Sequence, residues 1–97
     1  MLRHVILFKF RTSASQQQRQ EALNRLTGLG SKLPQVREWS VGLQASHRDK
    51  AYDMALVSSF DSLDALKEFR SEPEHGKVRE HLLKVADWIV VDFEFKK

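Results

Sequence analysis

Apolar and polar residues along this chain alternate with two different periods. From residue 3 to residue 10, His4, Ile6, Phe8 and Phe10 fall on one side and Arg3, Val5, Leu7 and Lys9 on the other, which predicts a strand with apolar residues on both faces. Such a strand is covered on both sides. After the polar turn Arg11 to Ser15, Ser13-Ala14-Ser15-Gln16 has the spacing of a capping box, in which a serine hydroxyl takes a free amide and a glutamine reaches back. Ala22, Leu23, Leu26 and Leu29 then recur at helical spacing opposite Gln, Arg and Glu. Gly28 and Gly30 weaken the last turn, and Leu33-Pro34 stops it.

Val36 to Leu43 alternates again, with Arg37, Trp39, Val41 and Leu43 on one side, and Gly42 marks a bulge or a close backbone approach. The polar run Gln44 to Lys50 connects it to a third strand, in which Tyr52, Met54, Leu56, Ser58 and Phe60 share a face. Asp61 or Ser62 caps a helix carrying Leu63, Leu66 and Phe69, which must end before Pro73 because the residue preceding a proline is pushed out of the helical region. A short helix restarts at Pro73 with His75 in its first turn and Val78, Leu82 and Val85 at spacings of three and four. Trp88 to Phe95 forms a last alternating strand ended by Lys96 and Lys97. The order β-α-β-β-α-β defines an α+β, ferredoxin-like architecture: one four-stranded antiparallel sheet with the helices on one face.

That order leaves one sheet face uncovered, and either Val5, Leu7, Ile89 and Val91 or their counterparts on alternate positions make it apolar. Monomers tolerate exposed apolar patches of about a few hundred Å². The face therefore predicts a homodimer in which two sheets meet as a barrel. At 97 residues the chain is read as one domain spanning 1–97, since domains run roughly 100 to 200 residues. A hydrophobic content of 41% and only two prolines describe a globular protein. Without cysteine there is no disulfide framework, thiolate metal site or cysteine nucleophile. Neither a secretory apolar region nor a run of roughly 18 apolar residues occurs, so the expectation is a soluble, cytoplasmic protein with no membrane partner. The net charge of +3 is spread among acids instead of grouped in a stripe, a weak footprint for nucleic acid.

The motifs, taken together in this order, resemble the stress-responsive dimeric α/β-barrel (Dabb) family: the start His4-Val5-Ile6-Leu7-Phe8-Lys9-Phe10, Leu33-Pro34-x-Val36 before a strand reaching Gly42, Tyr52-Asp53 before Ser59-Phe60, Pro73-x-His75, and the closing Val91-Asp92-Phe93. The resemblance implies the same fold and homodimer. It implies little about chemistry, since one fold hosts many functions. One branch, the plant polyketide cyclases, closes a ring by an aldol-type condensation between sheet and helices. Its first-strand histidine matches His4 and its Pro-x-His histidine matches His75. Its helix tyrosine is Phe69 here and its third-strand histidine is Met54, and phenylalanine cannot replace the lost hydroxyl in proton transfer.

Two imidazoles facing one cavity can abstract an acidic proton α to a carbonyl, one as base and the other orienting the substrate or polarising its oxygen. Such help is worth about 10² to 10⁴-fold. A histidine near the start of an apolar strand also serves as a buried hydrogen-bonding group, so His4 and His75 carry a catalytic and an architectural reading. Trp39, Tyr52, Met54, Phe69 and Trp88 are the candidate ligand-binding side chains, with core filling as their alternative. Tyr52 replaces the missing helix hydroxyl if it points inward. His47 and His81 read as solvent-exposed, and Asp53 and Asp92 as surface or interface ion-pair members. The histidines lack His-x-x-His or His-x₃-His spacing, so neither a metal nor another cofactor is expected. The RNA-recognition motif shares the element order, but the third strand lacks its glycines and carries Asp53, which repels phosphate. The sequence thus reads as a homodimer binding a small apolar, aromatic or polyketide-like molecule and acting on it by cofactor-free proton transfer. The alternative is a non-catalytic, stress-associated structural dimer.

Overall fold

A computed structural model describes residues 1–96; Lys97 lies outside them. The elements are β1 (Leu2–Phe10), α1 (Gln16–Leu29), β2 (Glu38–Leu43), β3 (Met54–Phe60), α2 (Leu63–Ser71), α3 (Pro73–Leu83) and β4 (Ala86–Glu94). The ferredoxin-like order stands, with its second helix divided at Pro73. The sheet runs β2-β3-β1-β4 with every neighbouring pair antiparallel. β1 is central: Leu2–Phe8 pairs with β3 and Leu2–Phe10 with β4.

Alternation sorts the two faces. Phe8, Phe10, Met54, Leu56 and Phe60 meet Ala22, Leu26, Leu66, Phe69 and Leu82 of the helices, and all are buried. On the opposite face Leu7, Val57, Ile89, Val91 and Phe93 stand between 36% and 56% exposed. Register aligns them into a patch, with Val5 opposite Val57 and Val91, and Leu7 opposite Ile89.

Several boundaries differ from the sequence reading, each for a local reason. The capping box is Ser15-x-x-Gln18: Ser15 Oγ accepts the Gln18 amide at 3.1 Å and Gln18 Oε1 accepts the Ser15 amide at 2.8 Å. It lies two residues beyond Ser13 because the Ala14 amide closes a turn on Arg11 O and its methyl enters the core. Ser62, not Asp61, caps α2, since both Asp61 carboxylate oxygens are taken by Arg37. β3 starts at Met54 because the Asp53 carboxylate accepts the Phe10 amide at 2.8 Å and ends the ladder there.

Gly42 is neither a bulge nor a close approach: it pairs in register with Ala55, and a Cβ there would meet open space. The close approach is at Gly30, which ends α1. A Cβ on Gly30 would sit 2.1 Å from Cγ of Trp39, whose indole Nε1 donates to Leu26 O at 3.0 Å. The indole lies flush against the helix end only because residue 30 has no side chain. Gly30→Ala is therefore expected to lower stability by about 1 to 3 kcal/mol through overpacking and to shift tryptophan emission. Denaturant melts with an unchanged midpoint would show that the two surfaces move apart freely.

Candidate active site

A cavity of about 390 Å³ lies between the helix-facing side of the sheet and the helices above it. Alternate residues of β1 and β4 form its floor, and Leu26, Phe69, Val78 and Leu82 close it from above. Val90 lines it yet is 48% exposed, so the cavity opens to solvent along the β4 edge.

His4 reaches the cavity because period two places it beside Ile6 and Phe8, and its cross-strand neighbours are Ser58 and Asp92. Only 5% of His4 is exposed. Its Nδ1 hydrogen-bonds to Asp92 Oδ1. A carboxylate offers only acceptors, so Nδ1 is the donor, and in the neutral ring Nε2 carries the lone pair. Ser58 is fully buried and its hydroxyl donates to the His4 carbonyl at 3.1 Å, clamping the strand on its other edge.

His75 arrives from the roof. Glu72 is extended at ψ 138°, as Pro73 requires, and serves as the last cap of α2 and the first of α3. The redirected chain places His75 in the first turn of α3 above the sheet. An aromatic row spans the two imidazoles: His4 edge-on to Phe60 at 6.2 Å, Phe60 to Phe69 at 5.0 Å, and Phe69 to His75 at 5.1 Å. Burial pushes the His75 pKa below its ordinary value of 6.5, and the guanidinium charges of Arg70 and Arg79 push the same way.

Of the residues singled out from sequence, His4, His75, Trp39, Phe69 and Trp88 line the cavity, and Tyr52 and Met54 do not. Met54 is 2% exposed in the core at the start of β3, and Tyr52 precedes that strand and is 41% exposed. Its phenol does not supply the hydroxyl absent at Phe69, and no lining residue carries one. Asp92 stays at the surface as an ion-pair member, as expected, and β4 makes its partner the buried His4. Asp53 keeps to the surface, with Lys9 Nζ at 3.5 Å. His47 is exposed, but His81 is partly covered, and its Nε2 is buried without a hydrogen-bond partner among the described residues. Arg70 and Arg79 also line the cavity and escaped notice in the sequence. Counting forward along the helix from His75 would have flagged Arg79, one turn on; nothing local marks Arg70.

The family model described as Stress responsive A/B Barrel Domain matches residues 2–95. An uncharacterized protein of Streptomyces coelicolor is 30% identical over 97 residues, 98% of this chain and 100% of the relative. Among solved structures, a dimeric protein of unknown function with a ferredoxin-like fold from Bacteroides fragilis superposes with a TM-score of 0.83 at 28% identity, covering 97% of this chain and 95% of the other. A hydroxynitrile lyase from Passiflora edulis gives a TM-score of 0.86 at 18% identity, covering 99% and 94%, a likeness of fold alone.

The depressed His75 pKa fixes a sign for stability against pH. Between the folded pKa and 6.5 the unfolded chain binds the proton and the folded chain does not, so stability falls as pH drops below 6.5. His81, also lowered by burial and by Arg25, acts in the same direction. Melting temperature measured between about pH 7.5 and 5 should decline, and His75→Gln should flatten that slope. A His75 ring that titrates at or above its ordinary value by NMR would contradict this.

Proposed function

Because the chain belongs to the stress responsive A/B barrel domain family, we propose that it is a cytoplasmic homodimer whose open sheet face meets its twin and whose cavity binds a small apolar molecule. His4 acts on that molecule as a cofactor-free general base. The observation that carries this reading is buried His4, paired with a partly exposed Asp92, on the floor of a cavity whose walls are largely apolar.

The chemistry follows from the hydrogen bond. Asp92 holds the imidazole with Nδ1 protonated, leaving Nε2 to take a proton from a carbon α to a carbonyl. The carboxylate then stabilises the imidazolium that forms. His75, neutral at pH 7 through burial, offers an N–H to the carbonyl oxygen where negative charge develops. With no hydroxyl in the lining, proton traffic runs through the imidazoles alone, which suits proton abstraction, isomerisation or ring closure on an already acidic β-keto or aromatic substrate. Apolar walls including Ile6, Leu56 and Trp88 favour an apolar body.

The dimer rests on the patch of Val57, Ile89, Val91 and Phe93 and on the dimeric relative from Bacteroides fragilis. A second copy of the same face would cover it.

Wild-type protein should accelerate deuterium exchange at the α-carbon of a small aryl β-keto compound, and His4→Ala should reduce that acceleration by about 10² to 10⁴-fold. Asp92→Asn, which lacks the charge that stabilises the imidazolium and can also donate to Nδ1, should fall between them. Exchange no faster than in buffer would reduce the site to binding or architecture. For the assembly, Val91→Glu should convert a dimer to a monomer in light scattering; a monomeric wild type would remove the dimer.

A further inference from the structure

The charge inventory of the cavity is unbalanced. Its lining holds two guanidinium groups, Arg70 in the last turn of α2 and Arg79 on α3, against the single carboxylate of Asp92. That carboxylate is engaged by His4. Elsewhere, Arg3, Arg11, Arg25 and Arg37 each meet an acidic side chain, at 3.6, 3.4, 2.8 and 2.9 Å. Arg70 and Arg79 have no carboxylate within 4.0 Å among the described residues. Acids on the same two helices are turned elsewhere: Glu68 and Glu72 accept the Gln35 amide, and Glu74 meets Lys77.

Both arginines line the same cavity as His75 from the helix side of the site. Arg79 is also oriented, 6.0 Å above the Trp88 ring that lines the floor. Arginine is the side chain best matched to a planar, two-oxygen anion, which it binds through paired N–H groups.

We propose that the molecule taken into the cavity carries a carboxylate, which Arg70 and Arg79 hold at the solvent side while its apolar body extends over Ile6 and Leu56. This rests on reading the cavity as a ligand site, and it narrows the substrate class to carboxylic acids with an apolar or aromatic body. The same two charges disfavour cationic ligands. His4 then meets a carbon inside the cavity, and the head group stays outside the apolar part.

Naphthoate and naphthamide, which differ in the charge of one group, separate the possibilities by calorimetry. Wild-type protein should bind the acid at least about tenfold tighter than the amide. Arg70→Gln and Arg79→Gln should each remove most of that difference, leaving amide affinity and melting temperature unchanged, and added salt should weaken only the acid. Equal affinity for acid and amide, unmoved by either substitution, overturns the carboxylate and leaves the cavity a ligand site. Binding of neither compound, with the protein folded and dimeric, overturns the ligand site and the carboxylate together.

Discussion

β1 is hydrogen-bonded along both edges, and most of the molecule takes its position from that double pairing. With β3 on one side and β4 on the other, Leu2–Phe10 cannot slip by one residue without turning Arg3 and Lys9 toward the helices and Phe8 and Phe10 toward the open face. The register therefore rests on the burial of two phenylalanines and fixes His4 opposite Asp92 and Ser58. The polar cluster is a consequence of the same parity that builds the core.

A buried imidazole is costly unless its polar atoms have partners. Here the carboxylate comes from β4, an edge strand whose outer part the helices leave uncovered, as the exposure of Val90 shows. An edge position suits the purpose: Asp92 stays partly hydrated while holding a nitrogen that is itself buried. The helix break at Pro73 supplies the opposing wall. An uninterrupted helix from Leu63 to Leu83 would run straight past the sheet, whereas the extended Glu72 lets α3 set off in a new direction and bring His75 over β1.

Two departures from regular packing keep this space open. Trp39 is held against the end of α1 by Gly30 and by its bond to Leu26 O, so a large side chain forms a wall instead of filling the centre. Phe69 contacts Trp39, Phe60 and His75 at once, and this aromatic group sets the spacing between roof and floor. Rigid rings that meet edge to face define a cavity better than flexible aliphatic chains, which would collapse into it.

The element order, the two faces of β1, the break at Pro73, the apolar open face and the prominence of His4 and His75 were all legible in the sequence, because periodicity and proline act locally. Gly42 and Gly30 look alike in sequence; only the fold shows which of them lies under a tryptophan. Tyr52 alternates correctly with Met54 but falls outside the sheet, because the Asp53 carboxylate ends the β1–β3 ladder early. Asp92 is a surface acid in the sequence and in the fold, but only the pairing of β4 with β1 names His4 as its partner, and only the approach of α2 and α3 to one opening brings Arg70 and Arg79 to the cavity. The chain by itself determined which residues can be buried and where helices must stop. Tertiary structure decided which polar groups meet, since those contacts join residues up to 88 positions apart that no local pattern connects.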